Sequence, residues 1–296
     1  MDLFLPRLSF LRPEPEYRSL DGVDRAVLYH TFSAAFSDYS IRIRLSYGRF
    51  SEMLDTNCFV PELSAGAFCG RRMVGVVLNG LRPYEGELTA YDCGTGVIPR
   101  LRNQGIARQM LDSLFGRLRQ VGATRYLLEV LCRNEPAVHL YRQMGFCPTR
   151  EFACFRAPRS HPVFHTPAAV TRLPVRELLA DSRCRRFYDF APAWQNSAEQ
   201  IASLPGCLAW ASTAQGALRG FGILNPRNGV VHVLAVAPDA RRQGVGSSLM
   251  AAMCSAAEGG MLSVLNVDTR CVDMLCFLES YGFSRTAGQY EMIRKL

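Results

Sequence analysis

Apolar and polar residues follow one another along the chain in a series of segments that occurs twice. Residues 64–80 are apolar on both sides of Gly70–Arg71, and residues 207–225 are apolar on both sides of Gln215–Gly216. Each segment therefore predicts two strands joined by a tight turn. A further apolar segment follows in each half and ends at a proline, as expected of a third strand.

The residues that follow these prolines have the spacing of amphipathic helices. Apolar positions recur every three or four residues up to Gly122 in the first half, and they recur in the same way before Gly259–Gly260 in the second. Glycine is frequent just after the last turn of a helix, so both helices are predicted to end there. Each half then continues with a strand, a short helix and a last strand. The remaining strands are predicted at 125–132, 151–157, 261–268 and 288–294.

The repeat divides the chain into two domains. Residues 157–169 contain three prolines and show no periodicity, which indicates a linker. We therefore predict a first domain at 1–158, a linker at 159–169 and a second domain at 170–296. Strands and helices alternate in both, so each domain is predicted to have an α/β fold with a mixed sheet.

A glycine-containing hexapeptide stands between strand and helix in each half, RNQGIA at 102–107 and RRQGVG at 241–246. Glycine allows the backbone to approach a ligand closely. Amides at the start of a helix also converge on an anion at the positive end of the helix dipole. Each hexapeptide is therefore predicted to hold a pyrophosphate, although neither matches a GxxxxGK[ST] loop or a GxGxxG turn. The alternative is a tight turn without a ligand.

Composition and charge favour a globular protein over a membrane, metal-binding or nucleic-acid-binding one. The chain has 48% hydrophobic and 20% charged residues and eleven cysteines without a CxxC pair, so we expect a globular protein with reduced thiols and no metal site. No apolar run approaches the ~18 residues of a membrane span, and Pro6 and Arg7 interrupt the N-terminal apolar residues, so a cytoplasmic protein is predicted. The net charge of +8 is dispersed, which suits a polyanionic small ligand and disfavours nucleic acid.

Three segments resemble the motifs of a known family. GVIPRLRNQGIARQML and AVAPDARRQGVGSSLM are similar to the cofactor motif of the GNAT N-acetyltransferases, and LEVLCRNEPAVHLYRQMGF at 128–146 resembles their second motif. The resemblance covers roughly residues 50–296. It implies two tandem domains, each with a twisted, mostly antiparallel sheet and two splayed strands. It also implies acetyl-coenzyme A (acetyl-CoA) in the gap and acetyl transfer to an amine.

The resemblance implies which residues hold the cofactor. The backbone of Gly96 and Val97 would bind the pantetheine arm and the thioester oxygen, and Asn134 would contact the arm while capping a helix. In the first half the implied cofactor-binding residues are Gly96, Val97, Arg102, Asn103, Gln104, Gly105, Ile106, Ala107, Arg108 and Asn134. In the second half they are Val236, Arg241, Arg242, Gln243, Gly244, Val245 and Gly246.

The resemblance also implies a catalytic acid. Tyr141 is the expected general acid, which would protonate the departing thiolate, although a tyrosine there can also simply pack between helix and sheet. Asp92 and Glu129 lie on strands near the expected cleft and are candidates for the general base, the alternative for each being a solvated carboxylate without a catalytic role. Asp38 and Tyr39 lie where the family walls its acceptor pocket, so they are candidates for binding a cationic substrate.

The second half departs from the motif. Leu278 falls opposite Tyr141 and Cys271 opposite Asn134, so we predict that this half can hold a pyrophosphate but does not catalyse by the same route. The leading hypothesis is an acetyl-CoA-dependent N-acetyltransferase acting on a small-molecule or peptide amine, as a monomer whose domains mimic a dimer or as a homodimer. The rival is a non-catalytic coenzyme A-binding sensor or scaffold. Residues 187–197 either wall a ligand pocket or belong to the core.

Overall fold

The structure is a computed structural model that describes residues 14–39, 45–160 and 166–296. The chain forms two compact units, and the division between them falls between Leu127 and Leu128, with residues 295–296 belonging to the first unit. Part of the predicted linker, 161–165, lies outside the described residues. Among the residues that are described, no helix is long and apolar enough to cross a membrane.

Within its described residues the first unit contains three α-helices and four strands, and a fifth strand, β5 (Arg125–Leu131), continues into the second unit. In chain order the first unit has β1 (Glu16–Ser19), α1 (Arg25–Ala35), α2 (Tyr47–Thr56), β2 (Ala65–Cys69), β3 (Arg72–Tyr84), β4 (Glu87–Val97) and α3 (Ile106–Gln120).

The part of the second unit that the structure describes has five α-helices and the remaining strands, together with short 3-10 turns at Ser182–Phe187, Trp194–Asn196 and Pro238–Ala240. Its elements are α4 (Glu135–Gln143), β6 (Cys147–Pro158), β7 (Thr171–Leu173), α5 (Val175–Ala180), α6 (Ala198–Ser203), β8 (Leu208–Ala214), β9 (Ala217–Asn225), β10 (Val230–Val236), α7 (Val245–Ala256), β11 (Met261–Asp268), α8 (Val272–Ser280) and β12 (Ser284–Lys295).

The predicted hairpins, helices and strands are present in both halves. The turns at Gly70–Arg71 and Gln215–Gly216 each join two antiparallel strands. Helix α3 ends before Gly122, whose φ of +83° favours glycine. One prediction was too short, because β3 extends past residue 80 to Tyr84 and turns through Gly86 into β4. Pro83 lies near the end of this strand, where a missing backbone donor interrupts little.

In both units the strand pairing is mixed and mostly antiparallel, as predicted for the fold class. In the first unit the strand order is β1-β2-β3-β4-β5, and in the second it is β12-β6-β11-β10-β9-β8-β7. The parallel neighbours are β4 with β5 and β10 with β11. These occupy equivalent places in the two halves, so the repeat in the sequence is also a repeat in topology.

Strand β6 follows the first repeat in sequence but packs in the second unit. It pairs antiparallel with β11 on one side and with β12 on the other, with Glu151 opposite Tyr290. Ala153, Phe155 and Ala157 alternate along β6, so they share one face, and that face is buried in the second hydrophobic core. The compact units therefore do not follow the repeat, and the predicted boundaries at 158 and 170 remain a prediction about the repeated sequence.

Each unit has its own core. In the first, Phe32 of α1 and Phe50 of α2 pack with Phe68, Val76 and Leu78 of the sheet. In the second, Leu249, Met250 and Met253 of α7 pack against Phe221 and Ile223 of β9. The apolar face predicted for α7 thus covers the sheet beneath it.

Candidate functional site

Strand β4 contains a bulge in the middle of the predicted cofactor strand. Leu78 pairs with Gly94 and Asn79 with Asp92, so Cys93 is the extra residue. The carboxylate of Asp92 fixes this bulge: Oδ1 accepts from the backbone N–H of Gly94 at 2.8 Å, and Oδ2 accepts from Oγ1 of Thr95 at 2.6 Å. Asp92 is buried, and both oxygens of its carboxylate already accept hydrogen bonds that hold the backbone. This arrangement counts against Asp92 as the general base.

The glycines after the bulge allow α1 to lie close to β4. A Cβ on Gly94 would stand 2.8 Å from the ring of Phe32, and one on Gly96 would stand 2.9 Å from the Cβ of Ala35. Parallel pairing of β4 with β5 involves Thr89–Tyr91, before the bulge. The backbone of Gly96 and Val97 is paired with β3 on one edge.

The two hexapeptides have the same backbone conformation. Asn103 and Gly105 have φ values of +61° and +75°, and Arg242 and Gly244 have +59° and +80°. Left-handed residues that alternate with others turn successive N–H groups towards one concavity, which suits an anion. Gly105 and Gly244 are the N-caps of α3 and α7 and provide no side-chain hydrogen bond. The amides of the first helical turn are therefore left without a side-chain cap.

The side chains of the first hexapeptide divide by position. Arg102, Asn103, Gln104 and Gly105 are exposed, whereas Ile106 is buried in contact with the core. Ala107 and Arg108 are half-buried in the first turn of α3. In the second hexapeptide Val245 takes the buried place of Ile106. An exposed loop followed by one anchoring apolar residue leaves the backbone accessible to a ligand.

The first arginine of each hexapeptide clamps the loop to its own unit. Nε of Arg102 donates to the carbonyl oxygen of Val97 at 3.1 Å, and its other nitrogens donate to the carboxylate of Asp38 at 2.7 and 2.8 Å. Nε of Arg241 likewise donates to the carbonyl oxygen of Val236 at 3.3 Å, and NH2 lies 2.7 Å from Asp189.

This clamp was missed in the sequence. The signal available was an aspartate beside aromatic residues in both early segments, FSDY at 36–39 and FYDF at 187–190. Each of these aspartates holds the equivalent arginine, so the repeat includes an ion pair as well as a loop. Because Arg102 is engaged with Val97 and Asp38, its role in the structure is to position the hexapeptide.

Asp38 and Tyr39 lie at the end of α1. Hydrogen bonding to Arg102 lowers the pKa of the Asp38 carboxyl below its usual range, so it is ionised and paired. A cationic substrate would have to compete with Arg102 for this carboxylate. The ring of Tyr39 packs edge-to-face on that of Phe36, with centroids 5.3 Å apart. In the second unit the equivalent Asp189 has a raised pKa because burial outweighs the pairing with Arg241.

The second motif lies on β5 and α4. Asn134 is the N-cap of α4, and its Oδ1 accepts from the N–H of Ala137 at 3.4 Å, which confirms the predicted capping role. Tyr141 is buried, and its ring meets that of Phe146 edge-to-face at 5.6 Å. Glu129 is half-buried on β5, and its charge contributes, after burial, to raising the pKa of the Cys154 thiol.

The second unit has an open cleft at the second hexapeptide. Leu278, at the position of Tyr141, is fully buried, and Cys271 caps α8 without a side-chain hydrogen bond. A phenol is nevertheless present, because the hydroxyl of Tyr281 lies 2.6 Å from Oγ of Ser247. The cleft has a volume of about 720 Å³ and is lined by Asp189, Leu234, Val236, Arg241, Arg242, Gly244, Gly246, Ser247, Asp273, Met274, Cys276, Phe277, Ser280 and Tyr281.

Comparison with known proteins identifies related sequences in both halves. The profile of the Acetyltransferase (GNAT) family matches residues 28–146, and that of the Acetyltransferase (GNAT) domain matches residues 205–285. Together the two matches span more than half of the chain. A curated relative, the uncharacterized N-acetyltransferase YdgE of Bacillus subtilis, is 36% identical over 67 residues, which are 23% of this chain. The matched region spans 43% of that relative's length.

Solved structures share the fold along nearly the whole chain. A tandem GNAT protein from the clavulanic acid biosynthesis pathway has a TM-score of 0.68 at 16% identity, with 95% of this chain and 98% of the other covered. A GCN5-related N-acetyltransferase from Sphaerobacter thermophilus has a TM-score of 0.68 at 14% identity, with 95% of both chains covered. At these identities the likeness concerns the fold.

Proposed function

Because the chain belongs to the GNAT acetyltransferase family and carries a GNAT domain in each half, we propose that it is an N-acetyltransferase. It would move an acetyl group from acetyl-CoA to a primary amine, with the catalytic residues in the first repeat. The observation that carries this proposal is the hexapeptide geometry: two left-handed residues and a side-chain-free helix N-cap, with one arginine clamping the loop.

The residues of the first repeat fit a pyrophosphate-containing cofactor. An anion at Gly105 would find space, since a Cβ there would have no neighbour within 4 Å, and the loop at 102–105 is exposed. We assign the amides of 102–107 to the pyrophosphate and the backbone of Gly96 and Val97, with Asn134, to the pantetheine arm. The side chain of Arg108, half-buried in the first turn of α3, would add positive charge beside this anion. Acetyl-CoA would supply the acetyl group as a thioester and a thiolate leaving group.

Two proton transfers are needed. The hydroxyl of Tyr141 would donate its proton to the departing sulfur, since a phenol is a suitable acid for a thiolate. The proton lost by the attacking amine would go to a carboxylate. We propose Glu129 for this step, with Asp92 as the alternative, because both oxygens of Asp92 already accept hydrogen bonds that hold the β4 bulge.

The acceptor would be a small-molecule or peptide amine, and the protein would act in the cytoplasm. The two GNAT domains of one chain would take the place of a dimer, so we propose a monomer, with a homodimer as the alternative. Asp38 and Tyr39 would then shape the acceptor side of the site, Asp38 through its hold on Arg102. The second repeat would bind the cofactor at 241–246 and Val236, around the cleft of about 720 Å³, without catalysing by the same route.

A second candidate function is non-catalytic coenzyme A binding, as in a sensor or scaffold. The observation that favours it is Leu278, a fully buried side chain without a proton to donate at the place of Tyr141 in the second repeat. The intact Asn134 cap and Tyr141 in the first repeat favour the enzyme.

The test is acetyl transfer to a panel of amines by the full chain and its Tyr141→Phe variant. We expect the variant to lose well over tenfold in rate while the affinity for acetyl-CoA, measured by calorimetry, changes little. Tyr126→Phe is the matched control, since it removes a different buried hydroxyl, which donates to Asn79 in the core at 2.6 Å and has no assigned catalytic role. Equal rates for Tyr141→Phe and the parent would remove Tyr141 from the mechanism. Binding of acetyl-CoA without transfer to any amine would favour the sensor.

A further inference from the structure

The two hexapeptides have matching backbones but different surroundings. Gly105 is exposed, and a Cβ built on it would have no neighbour within 4 Å among the described residues. Gly244 is half-buried, and a Cβ built on it would stand 2.2 Å from Cγ and 2.7 Å from Cδ of Pro167. Both glycines have left-handed φ values, +75° and +80°, so the difference comes from the chain that lies beside the loop and not from the loop itself.

The chain beside the second loop is the end of the predicted linker, and it is attached to helix α7. The N–H of Ala168 donates to Oγ of Ser248 at 3.1 Å, and Ser248 is buried in the first turn of α7. Ala168 also packs against the second hydrophobic core. Strand β7 begins at Thr171 and pairs with β8, which fixes the chain on the following side. We call Pro167 and Ala168 the strap.

The strap belongs to the second repeat. Helix α3 of the first repeat has Gln109 at the position of Ser248, and the side chain of Gln109 is exposed instead of buried under a neighbouring segment. The exposed fraction of the glycines differs in the same sense, since Gly105 is exposed and Gly244 is covered in part. The repeated loops are therefore equal in conformation and unequal in access.

The strap takes up space at the second loop that an anion would use. Alternating left-handed residues direct backbone N–H groups into one concavity, and at Gly105 the space in front of the loop is open. At Gly244 the ring carbons of Pro167 occupy that space, because non-bonded atoms pack at about 3.5–4 Å and not closer. The cleft of about 720 Å³ is lined by Gly244, so a ligand reaches the loop from the cleft and meets the strap there.

We propose that the strap is an autoinhibitory contact: Pro167 reserves coenzyme A for the first hexapeptide, and the second hexapeptide takes it only when the strap moves away. This inference rests on the proposed function, since it takes coenzyme A as the ligand of both loops. Strap and ligand compete for one place, so binding at the second loop releases Pro167 and Ala168, and loosening the strap strengthens that binding. The second repeat thereby responds to coenzyme A only at concentrations that already fill the first.

The sequence allows both loops to be observed in one spectrum. The chain has three Gln–Gly peptide bonds, at 104–105, 215–216 and 243–244. In the full chain labelled with ¹³C-carbonyl glutamine and ¹⁵N-glycine, an HNCO spectrum shows one signal for each of these bonds. Gly105→Ala and Gly216→Asn assign two signals by their loss, which leaves the third to Gly244. Gly216 lies in the turn between β8 and β9, so its signal is an internal control for the folding of the second unit.

The probe is coenzyme A, added stepwise to the parent and to three variants. In the parent we expect the signal of Gly105 to shift at a concentration at least about tenfold below the one that shifts Gly244. Pro167→Ala removes Cγ and Cδ, and Ser248→Ala removes the acceptor that holds the strap. Each should lower the concentration needed at Gly244 by about fivefold or more and leave that at Gly105 unchanged. Pro205→Ala, at an exposed proline between α6 and β8, is the matched control and should change neither.

The outcomes separate the strap from the proposed function. Equal concentrations for the two glycines in the parent would overturn the strap and leave the proposed function intact. The same holds for a Gly244 signal that responds no better in Pro167→Ala and Ser248→Ala, provided that the Gly216 signal keeps its parent position. A shift at neither Gly105 nor Gly244 would refute the proposed cofactor, and the role of the strap with it.

Discussion

Alanine at Gly105 and at Gly244 should destabilise the protein by unequal amounts, although the two residues occupy the same place in the repeated loop. Their φ values are +75° and +80°, so the backbone cost of a side chain in the left-handed region is the same, about 1 kcal/mol. Their surroundings differ. A Cβ on Gly105 would have no neighbour within 4 Å, whereas one on Gly244 would stand 2.2 Å from Cγ of Pro167.

The overlap sets the difference between the two variants. Relieving it requires the proline ring or the loop to move, which in packed sites costs ~1–3 kcal/mol. We therefore expect Gly105→Ala to cost about 1 kcal/mol and Gly244→Ala about 3 kcal/mol. Pro167→Ala removes Cγ and Cδ but keeps a Cβ at an ordinary contact distance of 3.7 Å, so it should restore at least ~1 kcal/mol to Gly244→Ala.

The assay is equilibrium unfolding in urea. Both tryptophans, Trp194 and Trp210, lie in the second unit, so their fluorescence follows that unit, while circular dichroism follows the whole chain. The free energies of unfolding of Gly244→Ala, Pro167→Ala and the double variant are measured by fluorescence, and that of Gly105→Ala by circular dichroism. Equal destabilisation by the two alanines, or a Gly244→Ala cost unchanged in the Pro167→Ala background, would refute the reasoning.

Two further predictions concern titration. Arg102→Gln should return the pKa of Asp38 from its lowered value to the usual range, as followed by carboxyl NMR. Because the pKa is depressed in the folded protein, the ion pair stabilises the fold above the unfolded pKa of about 3.9, and this stabilisation is lost as the pH falls through the lower folded pKa. Both side chains are exposed, so the effect on the free energy of unfolding should be small. Burial lowers the pKa of His232 to about 4, so as the pH falls the unfolded chain binds the proton before the folded one does. The free energy of unfolding should therefore decrease as the pH falls from about 6.5 towards about 4, by up to ~3 kcal/mol, and His232→Asn should abolish that dependence. A parent protein without this pH dependence would show that the ring is not buried as a neutral base.

The sequence predicted local structure well because local structure depends on neighbours in the chain. Gly122 and Gly105 specify where α3 ends and begins, and Asn134 is recognisable as a cap from its position before Pro136. The repeat predicted two domains, and the family motifs added that both have a GNAT fold. What periodicity could not predict is which strands pair, and β6, whose alternation fits any partner, lies between β11 and β12.

The site was predictable in its backbone and less so in its side chains. The hexapeptides are contiguous, so their geometry could be read from glycine positions. The clamp between Arg102 and Asp38 joins residues 64 apart, and the one between Arg241 and Asp189 joins two segments whose proximity only the fold creates. Asp92 shows a different limit of sequence reasoning. It lies on the predicted cofactor strand, but its carboxylate accepts hydrogen bonds from Gly94 and Thr95, and no spacing rule predicts these hydrogen bonds.

The pairing of β6 has a consequence for how the protein is made. During synthesis residues 147–158 leave the ribosome long before residues 284–294, yet these segments are hydrogen-bonded neighbours in the finished second unit. Such long-range pairing delays folding and leaves an unpaired, largely apolar strand edge exposed in the nascent chain. A gene cut at the repeat boundary would leave β6 on one product and its partners β11 and β12 on the other, so the second repeat made alone would lack the strand between them.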